Sequence, residues 1–339
     1  MYVDKKNKLV SVIIPYYNRI DLLRKSIQSV IDQTYKPIEL VLVDDHSYDV
    51  FDKTFINEFT TPDFRIKVVT NPKNVGPGLS REAGRLIAKG DYFAYLDSDD
   101  FWHQTFLEDL INCLEDNPEV GMAYSKTMLI RTTGNFLRNK NDKTFETIVP
   151  IVFDVNGRPW ATGACVWKRE IVNKIGPWSN ARIWEDYEYD VRAAIINNKI
   201  IHIPKVLFFV NMDSKEKISL VKNTREMIVD KSNSILKIAK RLRKSRYFFD
   251  KDIKKRIIYY LLTSCATLSD YKTGKNMIRN LFYEYNYWKD NHLGFVGLFT
   301  SVSPSKLNSK IFRKIRQFFS ILIFNLINLL CILDVNDYL

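Results

Sequence analysis

A short run of apolar and aromatic residues, 92–96, ends directly in an acidic turn, and this junction strongly constrains the fold. The run lacks polar alternation, which is typical of a strand buried on both faces in an α/β domain. Three carboxylates follow it within four residues, at Asp97, Asp99 and Asp100. Because like charges repel one another, their clustering at the end of a buried strand needs an explanation. A divalent cation bound by these oxygens provides one, and a plain acidic cap of the strand is the alternative.

The segments before this run repeat one pattern, an apolar strand followed by a loop and an amphipathic helix. The predicted strands are residues 9–14, 38–43, 66–70 and 92–96. The helix before the last strand is expected to turn Leu86 and Ile87 toward the core. This order predicts an α/β fold with a Rossmann-like, mostly parallel, twisted sheet flanked by helices. Because ligands bind beyond the carboxyl ends of such strands, Asp45 and Asp97 are expected in one crevice.

Basic residues are concentrated in the last third of this 339-residue chain, whose net charge is +12. Residues 1–220 carry 29 basic and 30 acidic side chains, and residues 221–339 carry 22 and 9. This shift predicts an α/β domain over 1–220 and a mainly helical, basic C-terminal region over 221–339. The four cysteines lack Cys-x-x-Cys spacing, which favours free thiols over a disulfide framework or a zinc site.

An apolar segment near the C-terminus, 311–333, begins with several basic residues. Its uncharged part, 317–333, is shorter than the ~20 residues of a spanning helix and contains Asn325 and Asn328. A helix lying in a membrane interface is therefore predicted. A membrane span and a core helix are the alternatives.

The C-terminal region also indicates a partner and a location. Its basic residues lie beside aromatic residues, and no nucleic-acid-binding motif is present. We therefore expect peripheral contact with anionic lipid and no contact with nucleic acid. The first residues lack the apolar core of a signal peptide. The predicted location is cytoplasmic, at the inner face of the cell membrane.

An ordered set of short motifs resembles one enzyme family. The motifs are Val-Ser-Val-Ile-Ile-Pro-Tyr-Tyr-Asn at 10–18, Gln-Thr-Tyr at 33–35, Val-Asp-Asp-His-Ser at 43–47, Asn-Val-Gly at 74–76, Arg81, Leu-Asp-Ser-Asp-Asp at 96–100, Gly-Ala at 163–164, Ile-Gly-Pro-Trp at 175–178 and Trp-Glu-Asp-Tyr-Glu at 184–188. Together they resemble the family 2 glycosyltransferases of the GT-A fold, over roughly residues 8–212. Members of that family are inverting enzymes that move a sugar from a nucleotide donor to an acceptor hydroxyl.

By this resemblance, one end of the crevice binds the nucleotide of a UDP-sugar. Asp45 matches an aspartate that hydrogen-bonds the pyrimidine base, usually uracil, and its alternative role is to cap a turn. Arg81 matches an arginine that approaches the base or the diphosphate. The residues expected on the loop beside the nucleotide are Pro15, Tyr17 and Asn18.

The resemblance assigns the acidic turn to the donor sugar and to a metal ion. Asp97 is expected to face the ribose and the donor sugar, and to share the metal site with Asp99. The expected ion is Mn²⁺ or Mg²⁺, bridging the diphosphate. Many members have a further histidine after the strand that follows the Glu-Asp helix. This chain has only His202, before the matching segment, so a third protein ligand is unassigned.

A second acidic pair, Glu185 and Asp186, matches the family's Glu-Asp motif. The chemistry needs a base that deprotonates the acceptor hydroxyl as it attacks the anomeric carbon. The resemblance assigns that role to Asp186, with Glu185 supporting it or touching the donor sugar. An acidic cluster that suits a helix dipole is the alternative. Trp160, Gly163 and Trp184 are expected to line the donor-sugar and acceptor pocket, although tryptophan also suits a protein core.

The resulting prediction is an inverting, metal-dependent glycosyltransferase. It uses a UDP-sugar and a glycan or lipid-linked glycan acceptor, in assembly of a bacterial surface polysaccharide such as capsule, O-antigen or exopolysaccharide. A nucleotidyltransferase would need a glycine-rich loop after the first strand, where this chain has Pro-Tyr-Tyr-Asn. A non-catalytic carbohydrate- or lipid-binding protein is the other alternative. Decay to such a protein should have damaged Asp45, Asp99 or Asp186, and all three are present.

Overall fold

The structure is a computed structural model, and it divides into two compact units after Lys222, near the predicted boundary at 220. It describes residues 8–48, 53–61, 64, 66–131, 136–138, 146–148, 158–197, 199–213, 224–270 and 275–288. The predicted interface helix at 311–333 lies outside these residues.

The first unit alternates strands and helices. Its strands are β1 (Val10–Tyr16), β2 (Ile38–Asp44), β3 (Ile66–Thr70), β4 (Tyr92–Tyr95), β5 (Phe101–Trp102), β6 (Met122–Ile130), β7 (Phe136–Arg138), β8 (Cys165–Lys168) and β9 (Ile200–Asn211). Its helices are α1 (Ile20–Ile31), α2 (Lys53–Phe59), α3 (Pro77–Ile87), α4 (Phe106–Asp116), α5 (Arg169–Ile175) and α6 (Glu185–Ile196).

One sheet runs through this unit in the order β3-β2-β1-β4-β8-β6-β9-β5, with β7 beside β6. The strands from β3 to β4 are parallel to their neighbours. The rest is mixed, because β8 is antiparallel to β4 and β6 whereas β9 is parallel to β6. The predicted α/β fold with helices flanking a sheet is therefore confirmed, and its parallel part is the N-terminal half.

The parallel half brings the predicted site residues to one edge. Strands β1 and β4 are buried along their whole length, as continuous apolar runs require in a sheet covered on both faces. Tyr16 pairs with Asp44 in register, and the backbone N–H of Asp45 donates to the Tyr16 carbonyl at 2.8 Å. The carboxyl ends of β1, β2 and β4 therefore lie side by side. Pro15, predicted to lie on the loop, instead lies inside β1.

The buried face of α3 differs from the predicted one. Leu86 and Ile87 are exposed, and the buried residues include Ser80, Arg81 and Gly84. A β-carbon on Gly84 would lie 2.5 Å from Ile13 Cγ2, so the helix approaches β1 too closely for a larger residue. The apolar periodicity therefore gave the wrong face, because close backbone approach decides which side packs.

The described part of the second unit, residues 224–270 and 275–288, forms α7 (Arg225–Arg243), α8 (Lys251–Asp270) and α9 (Lys275–Trp288). They pack on one another, and a 3₁₀ turn, Arg246–Phe249, joins α7 to α8. Arg243 donates to Glu284 at 2.9 Å, and this carboxylate is 2% exposed. No helix in the described ranges combines the length and the hydropathy of a membrane span.

Candidate active site

Buried Arg81 joins the two acidic motifs. Its Nη2 donates to Asp97 Oδ1 at 2.8 Å, and its Nη1 donates to Glu185 Oε1 at 3.0 Å. Burial alone would lower the pKa of Arg81, but Asp97 and Glu185 outweigh burial and raise this pKa above its ordinary value. Arg81 is 3% exposed and bridges two carboxylates. Its approach to the base or the diphosphate of a donor stays a prediction.

Glycines let the backbone close around this bridge. Gly84 allows α3 to lie against β1, and Gly78 allows the loop before α6 to meet the start of α3. A β-carbon on Gly78 would lie 2.3 Å from the carbonyl oxygen of Ser179 and 3.2 Å from Glu185 Cγ. These two close approaches place Arg81 between the acidic turn and α6.

Glu185 and Asp186 occupy the first turn of α6, where the helix dipole favours negative charge. Trp184 precedes them in the left-handed region, with φ 64°. Burial and the adjacent Asp186 carboxylate raise the pKa of Glu185 to about 7, against the opposing effect of Arg81. Protonated and ionised forms of Glu185 are therefore both accessible near neutral pH.

Asp186 forms an ion pair with Arg158, a residue that belongs to none of the sequence motifs. The Asp186 side chain remains 23% exposed, and Thr162 Oγ1 lies 3.4 Å from its Oδ2. Arg158 also pairs with buried Asp190. Arg158 precedes Asp186 by 28 residues. A pair so far apart in the chain cannot be predicted from a local sequence pattern.

Asp45 fixes the loop that leads into α3. Its two carboxylate oxygens accept from the backbone N–H groups of Val75 and Gly76 at 2.9 and 2.8 Å. They also accept from Asn71 Nδ2 at 2.9 Å, and the residue is 4% exposed. This is the capping role that the sequence left open. A carboxylate has about four acceptor positions, so these contacts are compatible with a further bond to a base.

The acidic turn divides its three carboxylates between different partners. Asp99 Oδ2 lies 3.1 Å from Arg19 Nη1, and the Asp99 side chain is 6% exposed. Asp97 is the most accessible of the three, at 41% of its side chain. Asp100 accepts from the backbone N–H of Asn211 at 3.0 Å, which suits the structural role expected for it.

Asp97 and Asp99 fit a cation whose remaining ligands come from a substrate. No group of three His, Cys, Asp or Glu side chains is placed to hold a metal ion among the described residues. Mg²⁺ commonly binds through one or two carboxylates together with substrate phosphates, and Asp97 and Asp99 are two such carboxylates on one turn. His202 lies within β9, its ring stacked on Tyr124 with 4.7 Å between centroids, and is not grouped with these carboxylates.

The loop after β1 presents one of its two predicted residues to solvent. Tyr17 is 42% exposed beside the crevice edge. Asn18 adopts φ 53°, its N–H donates to Ser47 Oγ at 3.1 Å, and its Oδ1 accepts from Tyr48 N at 2.9 Å. Asn18 thus ties this loop to the turn that carries Asp45.

Trp160 was predicted for the sugar pocket but lies in the core. It is 3% exposed, its indole N–H donates to Asp190 Oδ2 at 3.0 Å, and its ring contacts Tyr124. Gly163 is also buried, and a β-carbon there would lie 2.6 Å from the Phe208 ring. Trp184 is partly exposed and stacks on Tyr187, so it is the tryptophan of this pair that can meet a sugar.

Solved structures with this fold include glycosyltransferases. Residues 1–349 of S. aureus TarS, crystallised with UDP-GlcNAc, superpose with a TM-score of 0.63 at 19% identity, over 82% of this chain and 81% of that chain. A mannosyltransferase of Pyrobaculum calidifontis, crystallised with GDP-Man and Mn²⁺, has a TM-score of 0.51 at 15% identity, over 82% of this chain and 84% of its own. The first unit therefore has the GT-A type of fold.

Sequence relatives agree with the fold. A glycosyltransferase of Haemophilus influenzae is 38% identical over 128 residues, which are 38% of this chain and 47% of that protein. Glycosyltransferase GlyG of Streptococcus pneumoniae is 25% identical over 216 residues, 60% of this chain and 70% of that protein. The chain spans about half the length of the first curated relatives that it matches. Residues 11–176, just under half of the chain, match the family model described as Glycosyl transferase family 2, and this segment belongs to that family.

Proposed function

We propose that this protein is an inverting glycosyltransferase that moves a sugar from a UDP-sugar to an acceptor hydroxyl. The observation that carries the proposal is the Arg81 bridge, because it holds Asp97 of the donor-side turn and Glu185 of the acceptor-side motif in one site. TarS, solved with UDP-GlcNAc, supports a uridine donor. The GDP-Man complex of the Pyrobaculum enzyme makes a guanosine donor the alternative.

The proposed chemistry uses Asp186 as the base. Its carboxylate takes the proton of the acceptor hydroxyl while the oxygen bonds to the anomeric carbon of the donor. The bond from that carbon to the diphosphate breaks, and UDP leaves with the electron pair. The 23% exposure of the Asp186 side chain supports this role, because a base must reach its substrate. Asp45 and Tyr17 are proposed to bind the nucleotide, and Trp184 to border the sugar.

The leaving diphosphate needs compensating positive charge. We assign Asp99, with Asp97, as the residues that would hold Mn²⁺ or Mg²⁺ between protein and diphosphate. Such an ion supplies electrostatic stabilisation of the charge that develops on UDP. Arg19, 3.1 Å from Asp99, is a further cation beside the same turn.

The acceptor is proposed to be a glycan or lipid-linked glycan of a bacterial surface polysaccharide, reached at the cytoplasmic face of the membrane. Support comes from a basic stripe, formed by Lys237, Lys240 and Arg241 of α7 and by Lys244 directly after the helix, all exposed. Their spacing of three and four residues puts them on one face of the helix. Phe249, 80% exposed, follows in the next turn. Each basic residue near an anionic surface contributes about 1 kcal/mol.

Vesicle sedimentation of the full chain tests this contact. The chain is expected to sediment with phosphatidylglycerol vesicles and not with phosphatidylcholine vesicles, and to lose binding as salt rises. Replacing Lys237, Lys240 and Lys244 by Glu should weaken the binding, whereas replacing Lys89, Lys174 and Lys205 of the first unit should not. Equal sedimentation of both charge-reversed variants would argue against a stripe on α7.

Release of UDP from a panel of UDP- and GDP-sugars, with manganese or with EDTA, tests the enzymatic proposal. We expect slow release from one UDP-sugar, lost in EDTA and in Asp99→Asn but retained in Asp109→Asn, which changes an aspartate of α4 paired with Lys205. No turnover of any donor, together with no binding of UDP by calorimetry, would support the non-catalytic carbohydrate- or lipid-binding alternative.

A further inference from the structure

Each carboxylate of the adjacent pair Glu185 and Asp186 is held by a different buried arginine. Arg81 serves Glu185 from α3, whereas Arg158 serves Asp186 from the segment before the 3₁₀ turn Thr162–Ala164. The side chains of Arg81 and Arg158 are 4% and 8% exposed. The two neighbouring acids are therefore oriented by different arginines.

Arg158 has two further side-chain partners besides Asp186, which are Asp190 and Thr162. Its Nη1 donates to Asp190, one turn further along α6, whose side chain is 4% exposed. Its Nη2 donates to Thr162 Oγ1 at 2.9 Å. Asp190 is itself fixed by the indole N–H of Trp160 at 3.0 Å. Asp190 and Thr162 therefore hold the guanidinium in place in addition to its contact with Asp186.

Arg158 shares its single positive charge between two carboxylates. The set of Asp186, Arg158 and Asp190 carries a net negative charge when both acids are ionised. Asp186 therefore accepts a directed hydrogen bond, and its negative charge is only partly neutralised. A guanidinium suits this task because its planar fork presents several donors in fixed directions, whereas a lysine ammonium is a single flexible point charge.

We propose that Arg158 is a positioning residue that aims the Asp186 carboxylate at the acceptor hydroxyl, with Asp190 and Trp160 as its support. This inference rests on the proposed function. It also accounts for the burial of Trp160, whose indole N–H completes the support. Displacing a catalytic group by about 1 Å can cost roughly 100-fold in rate, so the orientation of Asp186 has measurable consequences.

Helix α6 offers a matched control. Arg192 pairs with Glu188 at 2.9 Å, with side-chain exposures of 7% and 2%, and donates to the Ile175 carbonyl at 2.6 Å. Arg192 is a buried arginine of α6, the helix that carries Glu185 and Asp186, but it pairs with neither of these acids. Arg158→Lys and Arg192→Lys therefore disturb comparable ion pairs, and only the first touches the proposed base.

The test compares both variants with the unaltered full chain, using UDP release from the donor found above, UDP binding by calorimetry and thermal unfolding. We expect Arg158→Lys to lower kcat about 10- to 100-fold, with KM and the Kd for UDP changed less than about twofold. Arg192→Lys should leave kcat within about twofold. Asp190→Asn, which keeps Arg158 but removes the negative charge that anchors it, should lower kcat in the same selective way.

Three outcomes would overturn the inference. One is an unchanged kcat in both Arg158→Lys and Asp190→Asn. Another is a loss of kcat in Arg192→Lys as large as that in Arg158→Lys, because the effect would then come from α6 stability alone. A third is the absence of UDP binding and UDP release by the unaltered chain, which would remove the proposed function as well. Activity in the unaltered chain separates the first two outcomes from the third.

Discussion

Gly78 and Ser179 are in contact so close that a β-carbon on Gly78 would lie 2.3 Å from the Ser179 carbonyl oxygen. Gly78 is the second residue of α3, and Ser179 belongs to the loop that leads to Glu185 and Asp186. The relative placement of α3 and the loop before α6 therefore depends on the absence of one methyl group.

Gly78→Ala is expected to displace this loop and to lower both stability and activity. The neighbouring atom is backbone, so relief requires a backbone shift, and we expect a loss of about 1–3 kcal/mol in unfolding free energy. Urea unfolding and UDP release are the measurements. Leu86→Ala, at an exposed position of the same helix, is the control and should change stability by less than about 0.5 kcal/mol. A fully active, stable Gly78→Ala protein would contradict the role given to this contact.

Arg81→Met should be among the most damaging single substitutions. It leaves Glu185 buried and Asp97 without its bridging guanidinium, and removing one partner of a buried ion pair costs about 3–5 kcal/mol. We also expect UDP release to fall to background. Arg85→Met is the control, because Arg85 pairs with Glu82 on the same helix in a more exposed setting. Similar losses of stability and of UDP release in the two variants would show that the bridge between the two acidic motifs contributes no more than the Arg85–Glu82 pair.

The raised pKa of Glu185 predicts a pH-dependent stability. The carboxyl titrates at about 7 in the folded protein and near 4.3 when unfolded. Between those values the folded protein keeps a proton that the unfolded chain has lost, so this group's contribution to stability falls as pH rises from about 4.3 to about 7. Glu185→Gln has no such proton. Relative to that variant, the unaltered chain should lose stability across this range and change little above about pH 8.

Parallel stability curves for the two proteins, measured by urea unfolding at a series of pH values, would contradict this assignment.

Asp45→Asn separates the two roles of Asp45. An amide cannot accept from both Val75 and Gly76 with the two atoms that now do so, because its nitrogen is a donor. We expect a loss of about 1–3 kcal/mol in stability from the unpaired N–H, and at least about tenfold weaker binding of UDP, measured by calorimetry.

The neighbouring Asp44→Asn is the control, since an amide oxygen can still accept from the Ser47 N–H as Asp44 Oδ1 does. A loss of stability in Asp45→Asn with full UDP affinity would leave Asp45 only its capping role.

The sequence predicted the features that depend on one short segment of the chain. The apolar runs of β1, β2 and β4 and the carboxylates that follow them could be read in order, and the parallel sheet placed their ends together. Contacts between distant segments had no such signal. Arg158 and Asp186 are 28 positions apart, and Arg81 and Glu185 are 104 apart. Nothing in the spacing says that either pair exists.

Two further differences have physical causes. Trp160 could be read as a sugar platform because tryptophan suits both a pocket and a core, and only its bond to Asp190 and its burial decide between them. The inward face of α3 was misread because Leu86 and Ile87 follow a helical period. In the structure, small Gly84 and ion-paired Arg81 take the buried positions instead.

The acidic turn is completed by a strand that is made much later. Asp100 accepts from the N–H of Asn211, 111 positions downstream, and β5 pairs with Phe208–Phe209 of β9. Domains generally fold as units during synthesis. A polypeptide still emerging from the ribosome can therefore contain every residue of the family match, 11–176, and yet lack the Asp100–Asn211 contact of the proposed donor site. Translation must pass residue 211 before that site can take its final form.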